Sequence, residues 1–228
     1  MTDLYVSMNN ANGFPIGNDG TAVAGNPQLP YLTFAAAQTA AATGDRILVN
    51  DGQYNLGVGR FQITKNIEFK PINALAVEIL GNHATDVIDI LPANNNTPIK
   101  IGAFIVTPGA ACARSLLVQS VAFDSNVIID GLKPAAGTAS ALTFNQIRGG
   151  LILKNIIAAG LFGSSGASPW LDTNTTMATA NPMNILIDNI SGSLTCTGAN
   201  LSTALSIRRN AGATPADMNC VVRNCKLN

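Results

Sequence analysis

A short pattern of apolar and polar positions recurs along the chain. Counted from its first residue, i, the pattern has apolar residues at i+1, i+3 and i+6, a charged residue at i+4, and Asn or Gly at i+5. The four closest copies span 126–132, 150–156, 184–190 and 219–225. Looser copies begin at Asn66 and Pro98, and the start of another begins at Arg46. Successive copies begin 20 to 35 residues apart, so the pattern predicts a repeated unit joined by loops of variable length.

Apolar residues at i+1 and i+3 predict a β-strand with one buried face. The charge at i+4 sets the phase of the strand because it must point outward. Stacking of the units would place the four charges above one another with alternating sign, as a ladder of surface salt bridges. We call these four residues the charged column: Asp130, Lys154, Asp188 and Arg223.

The residue at i+5 predicts a corner, because Asn and Gly tolerate the left-handed backbone of a sharp bend. In a stack, the corner residues Asn155, Asn189 and Asn224 would lie above one another. Their side-chain amides could then hydrogen-bond along the stack, as an asparagine ladder.

The first 45 residues precede the repeat and predict an entry segment. A strand-like stretch at 4–7 is followed by an Asn- and Gly-rich loop and then by an Ala-rich stretch. Thr33 is expected to cap a helix over 34–42, which Gly44 would end with a left-handed residue. Such a small helix could cover the open edge of the first unit.

The template, its variable loops and its Asn corners resemble the right-handed parallel β-helix of the pectate-lyase-like superfamily. The order of strand, loop and helix before segments 44–49 and 51–54 is similar to the entry region of such proteins. The resemblance implies an all-β fold, a single-stranded right-handed parallel β-helix with a short N-terminal capping α-helix. It places the strand, loop and capping helix in 1–45 and one continuous β-helix domain in 46–228. This scaffold carries lyases, hydrolases, adhesins and viral spikes, so the fold does not imply an activity.

Composition narrows the classes of function. Hydrophobic residues make up 47% of the chain, aromatic residues 5% and charged residues 11%, with 13 acidic and 13 basic side chains. A net charge of zero argues against nucleic acid and anionic membranes as partners. The longest apolar runs are far below the roughly 20 residues that span a bilayer, so we expect no membrane insertion. The start of the chain lacks a basic and an apolar region, so we expect no signal peptide.

Candidate catalytic residues are few. Asp86 and Asp89 could share a ligand only if their strand bends, because a separation of three puts them on opposite faces, and solvated positions are the simpler interpretation. Arg208 follows a strand-like segment and Trp170 could stack on a sugar ring, although tethering a loop is the simpler role for Arg208 and plugging a loop is the simpler role for Trp170.

The four cysteines lack metal-ligand spacing, so we expect neither a metal nor a cofactor. The chain lacks the sequence signatures of pectate lyases and polygalacturonases, and this absence favours a protein without enzymatic activity.

Position i+2 also faces outward, yet it is apolar in the last four copies. We call these residues the apolar column: Ile128, Ile152, Leu186 and Val221. An exposed apolar column predicts an interface, unless one of the protein's own loops covers it. The last copy ends at Cys225 with no covering segment after it, so we expect a partner subunit there or a chain that continues beyond Asn228.

Together these features favour a bacteriophage-type virion protein, such as a tail spike, tail fibre or other tail component, made in the host cytoplasm. We expect a homotrimer that contacts other virion proteins and serves host attachment through cell-surface polysaccharide. A polysaccharide lyase or glycoside hydrolase of the same fold is the first alternative. A bacterial surface adhesin fragment is the second.

Overall fold

A computed structural model of the chain describes residues 1–91, 97–119, 126–135, 140–145, 150–162, 171–176, 183–196, 205–210 and 218–227. These residues form one α-helix, α1 (Phe34–Ala40), one 3-10 helix (Ala11–Gly13) and nineteen β-strands. The all-β class predicted from the alternating pattern is therefore confirmed.

The strands follow one another along the described chain with these bounds: β1 (Asp3–Val6), β2 (Arg46–Val49), β3 (Gly52–Asn55), β4 (Phe61–Ile63), β5 (Glu68–Pro71), β6 (Val77–Gly81), β7 (Asp86–Ile90), β8 (Ile99–Ile101), β9 (Ile105–Pro108), β10 (Arg114–Gln119), β11 (Val127–Asp130), β12 (Lys133–Pro134), β13 (Leu142–Asn145), β14 (Gly150–Phe162), β15 (Leu171–Thr176), β16 (Met183–Cys196), β17 (Leu205–Asn210), β18 (Met218–Arg223) and β19 (Lys226–Leu227).

The strands form three parallel sheets. Sheet A runs β1-β2-β5-β8-β11-β14-β16-β18, with β19 paired to β16. Sheet B runs β3-β6-β9-β12, and sheet C runs β4-β7-β10-β13-β15-β17. From β2 to β13 the chain visits A, B and C in strict rotation, so each strand pairs with the strand three places later. We call one such passage a rung.

The register in sheet A places copies of the pattern directly on one another. Ile128 pairs with Ile152, Ile152 with Leu186, and Leu186 with Val221. The charged column shares that register, from Asp130 through to Arg223. Equivalent positions therefore form straight columns across the copies that begin at Asn66, at Pro98 and at the four later starts. The copy predicted to begin at Arg46 is wrong in its start, because Arg46 pairs with Glu68, the i+2 residue of the copy at Asn66.

The core collects side chains from all three sheets. The ring of Phe34, from α1, lies 5.0 Å from that of Tyr54 in β3, 5.2 Å from that of Phe61 in β4 and 5.1 Å from that of Phe69 in β5. Phe69 in turn stacks on Phe104 at 4.6 Å. Positions i+1, i+3 and i+6 are buried in the copies at 126, 150 and 184. In the copy at 219 the same positions are exposed.

Helix α1 agrees with the sequence at its start and differs at its end. The Thr33 hydroxyl accepts a hydrogen bond from the Ala36 amide at 3.2 Å, which is the expected N-cap. The helix ends at Ala40, two residues early, and the extended residue Ala41 follows it. Gly44 does have a left-handed backbone, with φ 87°, but it shapes the turn into β2 and does not cap the helix.

The corners carry left-handed asparagines. Asn155, Asn189 and Asn224 have φ of 55°, 57° and 55°. The Asn189 amide donates to Asn155 Oδ1 at 2.8 Å, whereas Asn224 donates to Asp188 Oδ1 at 2.9 Å. The corner amides therefore donate hydrogen bonds both to one another and to carboxylates of the charged column. No described helix is long and apolar enough to cross a membrane.

Replacing a corner asparagine should reveal the cost of the left-handed backbone. We expect Asn189→Ala to lower the free energy of unfolding by about 1–2 kcal/mol, because alanine is strained at this φ and lacks the amide. Asn189→Gly should cost less, because glycine removes only the hydrogen bond. Denaturant unfolding followed by circular dichroism measures both. Asn219→Ala is the control: its amide bonds to Asn184 along the stack at 3.2 Å, without a positive φ. Equal losses for Asn189→Ala and Asn189→Gly would contradict the backbone explanation.

Tyr54 should make the fold sensitive to alkali. Burial raises the pKa of its hydroxyl from 10.0 to about 12, and the hydroxyl donates to the Asn50 carbonyl at 2.8 Å. The folded state thus holds this proton more tightly than the unfolded state, so its contribution to stability is complete below pH 10 and is lost as the pH rises toward 12. Tyr54→Phe should flatten the fall in unfolding free energy over that range, and Tyr5→Phe is the matched control. An unchanged slope in Tyr54→Phe would contradict this assignment.

Candidate functional site

The two candidate carboxylates lie on β7 in sheet C, and the structure buries both. Asp86 is 0% exposed and Asp89 is 1% exposed, so the solvated positions considered for them are wrong. Arg60 brings them together: its Nη1 lies 3.2 Å from Asp89 Oδ2 and 3.9 Å from Asp86 Oδ2. A separation of three residues therefore does not keep the two carboxylates apart here.

Neighbouring rungs supply the remaining partners of this cluster. Arg114 Nε donates to Asp86 Oδ1 at 2.6 Å from β10. Gln62 in β4 and Gln119 in β10 donate to the two oxygens of Asp89 at 3.1 and 3.2 Å. Among the four carboxylate oxygens of Asp86 and Asp89, Asp86 Oδ2 is the one that accepts no hydrogen bond from a described residue. We call these six residues the sheet C cluster: Arg60, Gln62, Asp86, Asp89, Arg114 and Gln119.

The sheet C cluster is built to hold three strands together. Two carboxylates face two guanidinium groups, so the charges cancel within the cluster. Buried charges are tolerated only when they are paired in this way. A general acid or base must reach the atom whose proton it moves, whereas both carboxylates are sealed from solvent. The arrangement therefore favours a structural role for Asp86 and Asp89.

Of the other two sequence candidates, Arg208 lies on another strand of sheet C and Trp170 lies outside the described residues. Arg208 belongs to β17, where its backbone pairs with Asn174 in sheet C. His83, which the sequence did not single out, lies near the cluster, because its Nδ1 is 2.9 Å from the Thr85 hydroxyl, to which Arg60 Nη1 donates at 3.4 Å. Burial raises the pKa of the Cys112 thiol. Across the described ranges, no three His, Cys, Asp or Glu side chains come together as metal ligands would.

A groove of about 690 Å³ lies on the outer side of sheet A. Its volume is in the range of small-molecule sites. The floor is mainly apolar and includes Ile72 and Ile128. The charged lining residues are Glu68, Lys70, Lys100, Asp130 and Lys154.

The groove exists because one rung lacks an outward side chain. Gly102 is position i+4 of its copy and follows Ile101, which pairs with Phe69 and Ile129. The copies on either side carry a charge at i+4, namely Lys70 and Asp130. A Cβ at Gly102 would lie 2.5 Å from Lys70 Cβ, so a larger residue would force the strands to shift. Glycine therefore leaves a gap in the outer surface at this rung.

The groove carries a surplus of positive charge. Lys70 pairs with Glu68 at 3.1 Å and Lys154 with Asp130 at 2.9 Å. Lys100 is exposed and forms no ion pair with any residue that the structure describes. An anionic or hydroxyl-rich ligand would find a cation, two carboxylate acceptors and an apolar floor in one place.

The apolar column begins at the edge of this groove and continues away from it. Ile128, Ile152 and Leu186 are half-buried, and Val221 is 51% exposed. Beside it, the charged column forms two pairs, because Lys154 contacts Asp130 at 2.9 Å and Arg223 contacts Asp188 at 2.8 Å. The Arg223 guanidinium and the Asn224 amide together hold the pKa of Asp188 below its usual value.

Sequence reasoning missed Arg60, Arg114 and the groove. The arginines lie in segments outside the repeated pattern, and no local spacing links them to β7. The groove left one signal, since the copy that begins at Pro98 has Gly102 where the other copies have a charge.

No protein-family model, curated protein or solved structure matches the chain.

Breaking the sheet C cluster should cost far more than breaking an ion pair in which both side chains keep contact with solvent. Arg114→Met leaves the Asp86 carboxylate buried with less compensation, so we expect a loss of about 3 kcal/mol in unfolding free energy. Arg46→Met is the control, because Arg46 and Asp3 form a similar pair that is 32% and 25% exposed, for which about 1 kcal/mol or less is expected. Adding Asp86→Leu to Arg114→Met should recover much of the loss, because it removes the uncompensated charge. Equal losses for Arg114→Met and Arg46→Met would rule out a buried structural cluster.

Proposed function

We propose that the chain is a right-handed parallel β-helix that serves as a structural component of a virion, such as a tail spike or tail fibre. In this proposal it self-associates, contacts other virion proteins and binds host surface glycans without cleaving them. It is made in the host cytoplasm and acts in the assembled particle.

The observation that carries the proposal is the rotation of the strands through sheets A, B and C. A chain that visits three parallel sheets in turn, with each strand paired to its equivalent one rung later, has the connectivity of a β-helix. Its rungs are linked by one continuous stack of backbone hydrogen bonds. Such a stack suits an elongated structural element, because length grows simply by adding rungs.

The apolar column supports self-association. Its four side chains lie on an outward face, and the last of them, Val221 on β18, is 51% exposed. Contiguous exposed apolar residues commonly mark an interface. The homotrimer expected from the sequence belongs to this proposal as one form of self-association.

In this proposal the glycan binds in the groove on sheet A. Saccharides offer hydroxyl donors and acceptors together with apolar C–H faces. Lys100, Glu68 and Asp130 could form hydrogen bonds with the hydroxyl groups of a saccharide, while Ile72 and Ile128 contact its C–H faces. The carboxylates of the sheet C cluster are sealed and ion-paired, which favours binding over hydrolysis.

A panel of capsular and lipopolysaccharide glycans tests binding and turnover together. We expect at least one glycan to bind in calorimetry, with no release of reducing ends or unsaturated products. Ala74→Trp, which fills the groove, should weaken binding by about tenfold or more, and Lys100→Glu should weaken binding of acidic glycans. The controls are Ala76→Trp, at an exposed position outside the groove, and Lys226→Glu on β19. Turnover would favour the hydrolase or lyase class instead, and binding unaffected by Ala74→Trp would remove the glycan from this groove.

A further inference from the structure

The outer face of sheet A carries two parallel columns that differ in chemistry. The apolar column is uniform over four rungs. The charged column alternates in sign over the same rungs, in the order negative, positive, negative, positive. Both columns follow one register, so the rungs are evenly spaced by about 4.8 Å and the columns are about 14 Å long.

When the order of the four alternating charges is reversed, each position carries the opposite sign. Two charged columns that run in opposite directions are therefore complementary. When a second copy is turned so that its rungs run the opposite way, Asp130 meets the second copy's Arg223 and Lys154 meets its Asp188. Every charge then faces its opposite. The two contacts occur twice, as an isologous interface requires.

The same rotation of the second copy also brings the two apolar columns together. A two-fold axis along the strand direction reverses the order of the rungs but leaves each position along the strand in place. The apolar column of one copy therefore faces the apolar column of the other, with Ile152 opposite Leu186. Apolar contacts and charge contacts are thus satisfied by a single symmetry axis.

We propose that the outer face of sheet A pairs with a second copy of this chain, in an antiparallel arrangement about a two-fold axis between the rungs of Lys154 and Asp188. This proposal rests on the proposed self-association of the chain and specifies its geometry.

Arrangements with parallel rungs fit this face poorly. When two faces meet with the same rungs level, each residue of the charged column lies opposite its own kind or opposite the apolar column. The same holds around a three-fold axis if sheet A faces that axis, because three copies of each charge converge there. Like charges brought together at an interface oppose association. A trimer would therefore have to use other faces of the protein.

The strength of the pairing should be moderate. Four rungs offer less area than the roughly 800 Å² per partner of a standard stable interface. The charged column is also exposed, with Asp130 and Lys154 both at 42%, so salt should screen its contribution. We expect a dimer that forms with increasing concentration and weakens as salt is raised.

Exchange of charges within one copy provides a sharp test. The first swap variant combines Asp130→Lys with Lys154→Asp, and the second combines Asp188→Arg with Arg223→Asp. Each retains an ion pair inside the copy but turns all four contacts between antiparallel copies into like-charge contacts. Sedimentation equilibrium should show a dimer for the wild type and a dissociation constant at least about tenfold higher for either variant. An equal mixture of the two variants should regain wild-type affinity, because their charges are complementary.

The control is Glu68→Lys with Lys70→Glu, an exchange on the same face outside the four rungs, which should leave association unchanged. Circular dichroism and thermal melting verify that each variant folds. Variants that associate as tightly as the wild type, or a wild-type trimer unaffected by the swaps, would overturn the antiparallel pairing alone. A wild type that stays monomeric at all concentrations would overturn the pairing and the proposed self-association together. Because Ile128, Asp130 and Lys154 also line the groove, glycan binding is compared between the wild type and the second swap variant, whose substitutions lie outside the groove.

Discussion

Everything in this structure depends on the in-register stacking of parallel strands. Each strand donates and accepts backbone hydrogen bonds with the equivalent strand of the next rung, so a side chain finds its counterpart about 4.8 Å away. The role of a residue thereby depends on the other residues in its column. A column of aliphatic residues becomes core, a column of alternating charges becomes a set of ion pairs, and a column of asparagines becomes a bonded corner.

Charge is scarce in this chain, and its placement decides what it does. In the sheet C cluster two carboxylates and two guanidinium groups are shielded from water, where each depends on its partner and removal of one is costly. On sheet A the same kinds of groups remain solvated, where each pair contributes little to stability. The exposed charges consequently matter little for folding, while the buried ones fix the relative positions of β4, β7 and β10.

The sequence predicted features that are local or that repeat. Alternation in the copies at 126, 150 and 184 indicated the strands of sheet A and their buried face, and Thr33 indicated the start of α1. The end of α1 was misjudged because alanine favours helix in isolation, whereas Ala41 is extended where the chain turns toward β2. The sheet C cluster could not be foreseen, because Arg60, Asp86 and Arg114 come from three rungs and meet only through the strand pairing. Sequence spacing carries no information on contacts between segments that loops of unequal length separate.

Gly102 illustrates how such a scaffold can acquire a ligand site. The depression on sheet A results from the omission of a single side chain in an otherwise filled column, and no specialised loop is needed to build it. A bulkier residue at Gly102 would collide with Lys70 on the neighbouring strand, so the depression cannot be filled at this level without moving the strands. The depression is therefore tied to one level of the stack, and mutations that enlarge or move it must be accommodated by the backbone of the adjacent strands.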